Sequence, residues 1–249
     1  MPVSVCIVTN QWHPQLNAII VALSSHVEEI LLGYDGNPGT IPTDIKAHVK
    51  VIQVQWEGYS TTKNKLAAKA RNNWILSLDS DEVPDRVLVQ SLLSLPYETM
   101  PSSHQYQLKR RSYFEGKRMQ HGSWGNDKVI RLYNRTASRW DNALVHESLE
   151  RNAQTKIHTL DGILEHFTAD NYEVFLAKSL RYARLSADKY FQNGKKATFI
   201  KSYLSPLFSF IKEYVFQAGF LDGSRGWKIA MGNARYTFWK YQFLKEQQA

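Results

Sequence analysis

Cysteine is nearly absent. Cys6 is the single one among 249 residues, which excludes a disulfide framework and any multi-cysteine zinc or iron–sulfur site. A reducing compartment is the natural expectation. Long apolar runs are also missing. No stretch reaches the roughly 18 uncharged apolar residues that a membrane-spanning helix needs. The richest late segment, Tyr203 to Ile211, contains Pro206 and is followed at once by Lys212-Glu213. The early apolar run Val3–Val8 has no basic residue ahead of it and stops at Thr9-Asn10, too short for the core of a signal peptide. There are no internal repeats and no low-complexity linkers. The expectation is a soluble or peripheral cytoplasmic protein, large enough to fold on its own hydrophobic core.

What is present is an uneven charge. The formal net charge is +8, but residues 1–100 hold 7 Lys/Arg and 10 Asp/Glu, a net of −3, and the remainder holds 24 and 13, a net of +11. A basic surface attracts nucleic acid, anionic membrane or an anionic substrate, and charge alone does not choose among them.

The first half alternates strand and helix signals. Strands are predicted at Val3–Thr9, Glu29–Tyr34, Val49–Trp56 and Trp74–Leu78, and helices at Pro14–Val27, Thr61–Asn72 and Asp85–Leu95, with Pro84 in the first turn of the last. That alternation argues for an α/β fold, a mostly parallel sheet covered by helices on both faces. Ligands of such sheets bind outside the carboxyl ends of the strands, where Asp35 and Asp79-Ser80-Asp81 fall. Further strands are expected at Tyr106–Tyr113, Lys128–Tyr133 and Ile163–Phe167, with a loop from Glu115 to Asp127. From Asn171 onward the apolar residues recur at three- and four-residue spacing, predicting helices, including Phe199–Ala218 and Gly226 to the end. The expected division is a catalytic domain over 1–168 and a helical extension over 169–249.

Asp79-x-Asp81 leaves a buried strand and is followed by a third carboxylate, Glu82. A bare Asp-x-Asp occurs by chance in many chains, so position carries the argument. Carboxylates held together repel, and a divalent cation with a taste for hard oxygen ligands, Mn²⁺ or Mg²⁺, relieves that repulsion. Such a cation can also neutralise a departing diphosphate. The bland alternative is a solvated strand-end loop.

An ordered set of motifs goes further. Gly58-Tyr59 with Lys63-Asn64 is followed by Trp74-Ile75-Leu76-Ser77-Leu78-Asp79-Ser80-Asp81-Glu82, then His121-Gly122-Ser123-Trp124 leading to Asp127-Lys128-Val129-Ile130-Arg131-Leu132, then Val145-His146-Glu147, and finally Gly219-Phe220-Leu221-Asp222-Gly223 with Gly226-Trp227. This order resembles the family 2 glycosyltransferases, and the branch it looks most like is the bacterial lipopolysaccharide core β-1,4-glucosyltransferases. The resemblance implies a GT-A-type, Rossmann-like sheet with a helical C-terminal extension. It also implies an inverting, metal-dependent transfer of a hexose, glucose in that branch, from a UDP-sugar to a lipopolysaccharide, lipooligosaccharide or other surface-glycan acceptor. By the same resemblance Thr9, Asn10, Asp35, Lys63, Asn64, Asp79 and Ser80 face the nucleotide-sugar, and Asp81 and His146 hold Mn²⁺ or Mg²⁺. The base that takes the acceptor proton is Asp127 as first choice and Glu147 as alternative.

Arg110, Arg111, His121 and Trp124 follow the metal motif, where an acceptor would enter, and cations there suit a phosphorylated, lipid-linked saccharide. The terminal stretch Arg235–Lys245 mixes large aromatics with cations, which suits a helix on the inner, cytoplasmic membrane surface. The same residues also suit simple packing on the domain.

Other classes stay in view. A sugar nucleotidyltransferase wants a Gly-rich, basic loop after its first strand, and Thr9–Leu16 holds neither Gly nor Lys/Arg. A nucleic-acid binder is favoured by net charge alone, and the acidic first half carries the strand-end loops, so nucleic acid is not an expected partner. A glycosyltransferase-like protein without activity is the remaining alternative. In the resembled branch a Lys-Asn-Glu-like segment and an Asp-x-Gly-Ser-Thr-Asp turn, both touching the nucleotide, occupy the places of Thr9-Asn10-Gln11-Trp12-His13-Pro14 and Asp35-Gly36-Asn37-Pro38-Gly39-Thr40.

Overall fold

The computed structural model describes residues 1–43, 49–125, 127–141, 143 and 147–248, with Pro38 described by its backbone alone. Its centre is β1 (Val3–Thr9), a β-branched run with almost every residue buried, as a strand covered on both faces requires. On one side β1 pairs in parallel with β2 (Glu29–Tyr34), which pairs in parallel with β3 (Lys50–Gln53). On the other it pairs in parallel with β4 (Trp74–Asp79).

Five more strands extend the sheet among the described residues: β5 (Glu82–Pro84), β6 (His104–Phe114), β7 (Lys117–Arg118), β8 (Asp127–Asn134) and β9 (Lys156–Ala169). The order is β3-β2-β1-β4-β8-β6-β9-β5, with β7 on β6. The pairs β4–β8, β5–β9 and β6–β7 are antiparallel. The mixed α/β sheet expected from the sequence is therefore present, its first four strands all parallel.

Helices α1 (Pro14–Leu23), α2 (Tyr59–Ala68) and α3 (Arg86–Leu93) connect these strands. Alternation along the strands divides the core. Val5, Ile7, Ile30, Leu32 and Leu76 pack in one cluster with Leu16, Ile19, Ile20 and Leu23 of α1 and Leu88 and Leu92 of α3. Cys6, Leu31 and Ile75 pack in another with Leu66 and Ala67 of α2. Neighbouring residues of one strand thus enter different clusters, and helices cover both faces.

Local chemistry sets the boundaries. Asp85 is the N-cap of α3, its carboxylate accepting the Leu88 N–H at 2.7 Å. Pro84 does not start that helix, as the sequence predicted; it closes β5 opposite Leu164. Because β5 ends the strand order, the missing N–H of Pro84 faces no further ladder. Strand β9 is fourteen residues long, far longer than the predicted Ile163–Phe167. Its first half is mostly polar and exposed, Leu160 alone being buried, so apolar periodicity does not reveal it.

The chain divides into two compact units: Met1–Arg110 with Lys128–Asn142 and Glu147–His166, and Arg111–Asp127 with Ala143–His146 and Phe167–Ala249. The second is built on α4 (Tyr172–Gln192), α5 (Phe199–Ile211) and α6 (Gly223–Glu246). Asn171 caps α4 by accepting from Val174 N–H at 2.8 Å. Between α5 and α6 lie a π-helical turn, Lys212–Phe216, and a 3₁₀ turn, Gly219–Asp222. Tyr241 and Leu244 of α6 are buried with Ala187 of α4, so much of the terminal aromatic-basic stretch packs inside this unit.

Gly162 of β9 has φ +94°, and a Cβ there would run into the Leu88 backbone nitrogen. Both facts forbid a side chain. Gly162→Ala is expected to destabilise the protein by about 2–4 kcal/mol, read as a lower midpoint in urea unfolding.

Candidate active site at the strand ends

The topology places a crevice where β2 and β4 lie on opposite sides of β1, since the chain leaves β1 in one direction and returns on the other. In register, Thr9 lies beside Tyr34, and Val8 lies beside both Gly33 and Asp79. Three expected site segments, Thr9-Asn10, Asp35 and Asp79-Ser80-Asp81, therefore leave adjacent strands at one sheet edge. The loops are knit together. Asp35 N–H donates to the Thr9 carbonyl at 2.9 Å. Gly36 sits so tightly on the Asn10 carbonyl that a Cβ would approach it to 2.6 Å. Thr9 is buried, with its hydroxyl donating to the Gln11 carbonyl, while Asn10 is exposed. Ser80 Oγ lies 2.9 Å from His13 Nε2, bridging the start of α1 to the β4 loop across the crevice.

Beneath these loops lies a buried ion network. Lys63 Nζ, from the second turn of α2, is 2.9 Å from Asp79 Oδ1 and 2.8 Å from Glu147 Oε1. Arg131, from β8, donates to Asp79 Oδ2 at 2.6 Å and to both oxygens of Glu82 at 2.7 Å. Arg110 donates to Glu82 Oε1 at 3.0 Å, and the Asp79 N–H donates to Glu82 Oε2 at 3.1 Å. Glu82 is wholly buried and Arg131 nearly so. Burial alone would push the Asp79 carboxyl up, but the adjacent Arg131 and Lys63 charges outweigh it and hold the group far below the usual carboxylate range. Burial likewise pulls the Lys63 ammonium down, and Asp79 and Glu147 more than reverse it.

This arrangement changes the reading of the carboxylate run. The repulsion among Asp79, Asp81 and Glu82 that the sequence assigns to a divalent cation is relieved at Asp79 and Glu82 by Arg131, Lys63 and Arg110. Asp81 Oδ2 lies 3.6 Å from His166 Nε2, with both side chains partly accessible. His166 is in register with Glu82 on β9. A carboxylate and an imidazole are ligand types that Mn²⁺ accepts, and Mg²⁺ is commonly held by one or two carboxylates plus substrate phosphates. Among the described residues no three His, Cys, Asp or Glu side chains converge. His146 lies outside the described residues.

The other expected site residues sit as follows. Asn64 is tied to Trp140, donating to its carbonyl and accepting from its N–H, each at 2.9 Å; Trp140 in turn lies under Lys63, 4.8 Å from Nζ. Arg110 is turned onto Glu82. In the second unit, Asp127 opens β8 and is half-buried, as is Arg111. His121 is held by Asp222, which accepts its backbone N–H at 2.9 Å and lies 3.1 Å from its Nδ1. Trp124 packs edge-on against Phe114 and Phe175. The late Gly219–Gly226 segment thus orients the His121 loop through Asp222, and a Cβ on Gly226 would strike the Gly219 carbonyl.

Sequence reasoning missed Arg131 and His166 as members of this region and placed His13 there only as part of the loop after β1. A wholly buried Glu82 demands a cation, and Arg131 is the charged residue in the inner run of β8, which is the signal that was available.

Removing Arg131 leaves Glu82 and Asp79 short of a partner. Arg131→Met is expected to cost about 3–5 kcal/mol in urea unfolding at neutral pH. The Asp79 carboxyl is depressed in the folded state, so its contribution is complete above the ordinary carboxylate pKa of about 4. It declines as pH falls below that. Unfolding midpoints of the wild type and Asp79→Asn should differ near pH 7 and converge toward pH 2.

No family model matches the chain. It is similar to an uncharacterized glycosyltransferase of Rickettsia typhi, 23% identical over 258 aligned residues that span 98% of this chain and 87% of the relative. A second, from Rickettsia prowazekii, is 22% identical over 238 residues, spanning 90% and 80%. Among solved structures, TarS of S. aureus superposes with a TM-score of 0.47 at 12% identity, over 93% of this chain and 55% of that one. Glucosyl-3-phosphoglycerate synthase from Mycobacterium tuberculosis, in complex with Mn²⁺, UDP and phosphoglyceric acid, superposes with a TM-score of 0.34 at 18% identity, over 44% and 43%. Along nearly its whole length, then, the chain is related to proteins named as glycosyltransferases.

Proposed function

We propose that the protein is a GT-A-type, inverting, metal-dependent glycosyltransferase of family 2. It transfers a hexose, glucose by its resemblance, from a UDP-sugar to a lipopolysaccharide core or other surface-glycan acceptor at the cytoplasmic face of a membrane. The observation that carries the reading is the convergence of Thr9-Asn10, Asp35 and Asp79-Ser80-Asp81 on one crevice, in a chain whose relatives bear the glycosyltransferase name end to end.

On this reading Asp35, Asn10 and Thr9 receive the nucleotide, and Ser80, steadied by His13, borders the diphosphate. Asp81 and His166 would hold Mn²⁺ or Mg²⁺, with His146 as the further ligand expected from the sequence. A divalent cation, when bound, supplies neutralisation of the departing diphosphate. Lys63 and Asp79 act from beneath as a fixed ion pair that keeps the β4 loop in place. Inversion needs one carboxylate to take the acceptor proton. Asp127, half-buried at the start of β8, is the first choice of base, and Glu147, 2.8 Å from Lys63, is the alternative. His121 and the Arg111 segment belong to the acceptor side.

Titration calorimetry with UDP, GDP and UDP-sugars, in Mn²⁺ and then in EDTA, tests the donor site. UDP is expected to bind with Mn²⁺ and to lose at least about tenfold in affinity in EDTA and in Asp81→Ala. Absence of nucleotide binding under every metal would sink the reading in favour of an inactive relative. For the base, Asp127→Asn should lower kcat by about 100-fold or more with UDP affinity unchanged, and Glu147→Gln should act chiefly through stability. The reverse pattern reassigns the base.

A further inference from the structure

Helix α5 is inside out. Its large apolar residues Phe199, Ile200, Tyr203, Leu204, Leu207 and Phe208 are each at least half exposed, while the buried positions are Ser202 and Pro206. The spacing 199, 203, 207 and 200, 204, 208 lines three successive turns with one apolar stripe. The stripe has neighbours of the same kind. Tyr203 meets Phe238 of α6 at 6.2 Å between ring centroids, and Phe210 meets Trp227 at 4.9 Å. In the π turn, Val215 and Phe216 are also exposed. A soluble chain rarely leaves so much apolar surface uncovered without a use for it.

The charges in the run from Lys195 to Lys212 are of one sign. Lys195, Lys196, Lys201 and Lys212 are exposed, and no acidic residue occurs between Thr198 and Lys212. The first acid after this run, Glu213, is turned inward, where its carboxylate accepts the Ser123 N–H at 2.9 Å. The buried side is thus given to small and polar groups, and the outer side to apolar and cationic ones. A two-fold contact between copies would bring these lysines toward their own equivalents, which costs binding. An anionic lipid surface pairs with lysines while accepting the apolar stripe. Among the described residues no helix is long and apolar enough to cross a membrane, so the stripe lies in the interface plane.

We propose that α5 and the π turn after it form an in-plane membrane seat for anionic phospholipid, and that the terminal stretch of α6 supports it from behind. The seat names the surface by which the proposed enzyme would meet a lipid-linked acceptor, but it is measured without nucleotide, metal or acceptor. Its failure is therefore distinguishable from failure of the donor-site reading.

The test is flotation of the full chain with vesicles of phosphatidylcholine alone and of phosphatidylcholine mixed with phosphatidylglycerol. The wild type should float with the anionic vesicles and release as salt rises. The triple variant Leu204→Ser, Leu207→Ser, Phe208→Ser should bind about tenfold more weakly or worse, with its far-UV circular dichroism unchanged because these side chains are exposed. Lys195→Gln, Lys196→Gln, Lys201→Gln should weaken binding and flatten its salt dependence. A nitroxide on Leu204→Cys labels one site, Cys6 being buried; on adding anionic vesicles it should gain collisions with dissolved oxygen over an aqueous nickel chelate. Wild type that stays unbound, serine variants that bind equally, or a label that remains aqueous overturns the proposal. So does a wild-type dimer that the serine variant dissolves, which would give the face to a second copy.

Discussion

Six charged side chains, three of each sign, are folded together under the strand ends, and the rest of the site depends on them. Lys63, Arg110 and Arg131 meet Asp79, Glu82 and Glu147 at hydrogen-bond distances. Taking such groups out of water costs several kcal/mol each, and their attraction offsets this only when every lone pair and proton has a partner. Here the partners are present: Glu82 alone accepts from two guanidinium groups and one backbone N–H. The network draws on α2, β4, β5, β6, β8 and the Glu147 segment. A shift in any of them would leave a buried charge unmatched. That penalty fixes the point at which Ser80 and Asp81 leave β4.

The elements flanking this network were legible in the sequence, and the network itself was not. Strands β1, β2 and β4 are apolar runs bounded by turn residues, so the strand-end placement of Asp35 and Asp79 could be read directly. The partner of Glu82 is 49 residues away on a strand whose apolar residues carry the pattern, and no periodicity couples the two. Pro84 reads as a first-turn proline, but Asp85, which follows it immediately, is the cap and leaves Pro84 in β5. The length of β9 is not legible because its outer half is mostly polar and exposed, and pairing there is decided by neighbouring strands rather than by burial. His166 lies within the strand that the sequence predicts, but its place beside Asp81 comes from the β5–β9 register, which no local pattern reveals.

Helix α5 shows a different limit. Its period was readable and a helix was correctly expected there, but a stripe of Phe, Leu, Ile and Tyr at helical spacing ordinarily marks the face toward the core. What sends it outward is the opposite face. Ser202 and Pro206 are small enough for close packing inside the unit, and Glu213 carries its carboxylate inward to the Ser123 N–H. Periodicity reports that a helix has two faces. Which face is buried depends on which one finds a complementary surface.

The charge asymmetry of the chain acquires a physical sense from these two regions. At the strand ends Lys63, Arg110 and Arg131 are each matched by carboxylates, so they bring little net positive charge to a bound diphosphate. On the proposed reading that charge has to be met from elsewhere, and Asp81 with His166 are the groups suited to bring in a divalent cation. In the second unit Lys195, Lys196, Lys201 and Lys212 are exposed, in a run that holds no acid, and Glu213, which follows it, is turned inward. The same residue type therefore does opposite work in the two units. Where cations are neutralised they hold the backbone in place, and where they are left exposed they give the surface its sign.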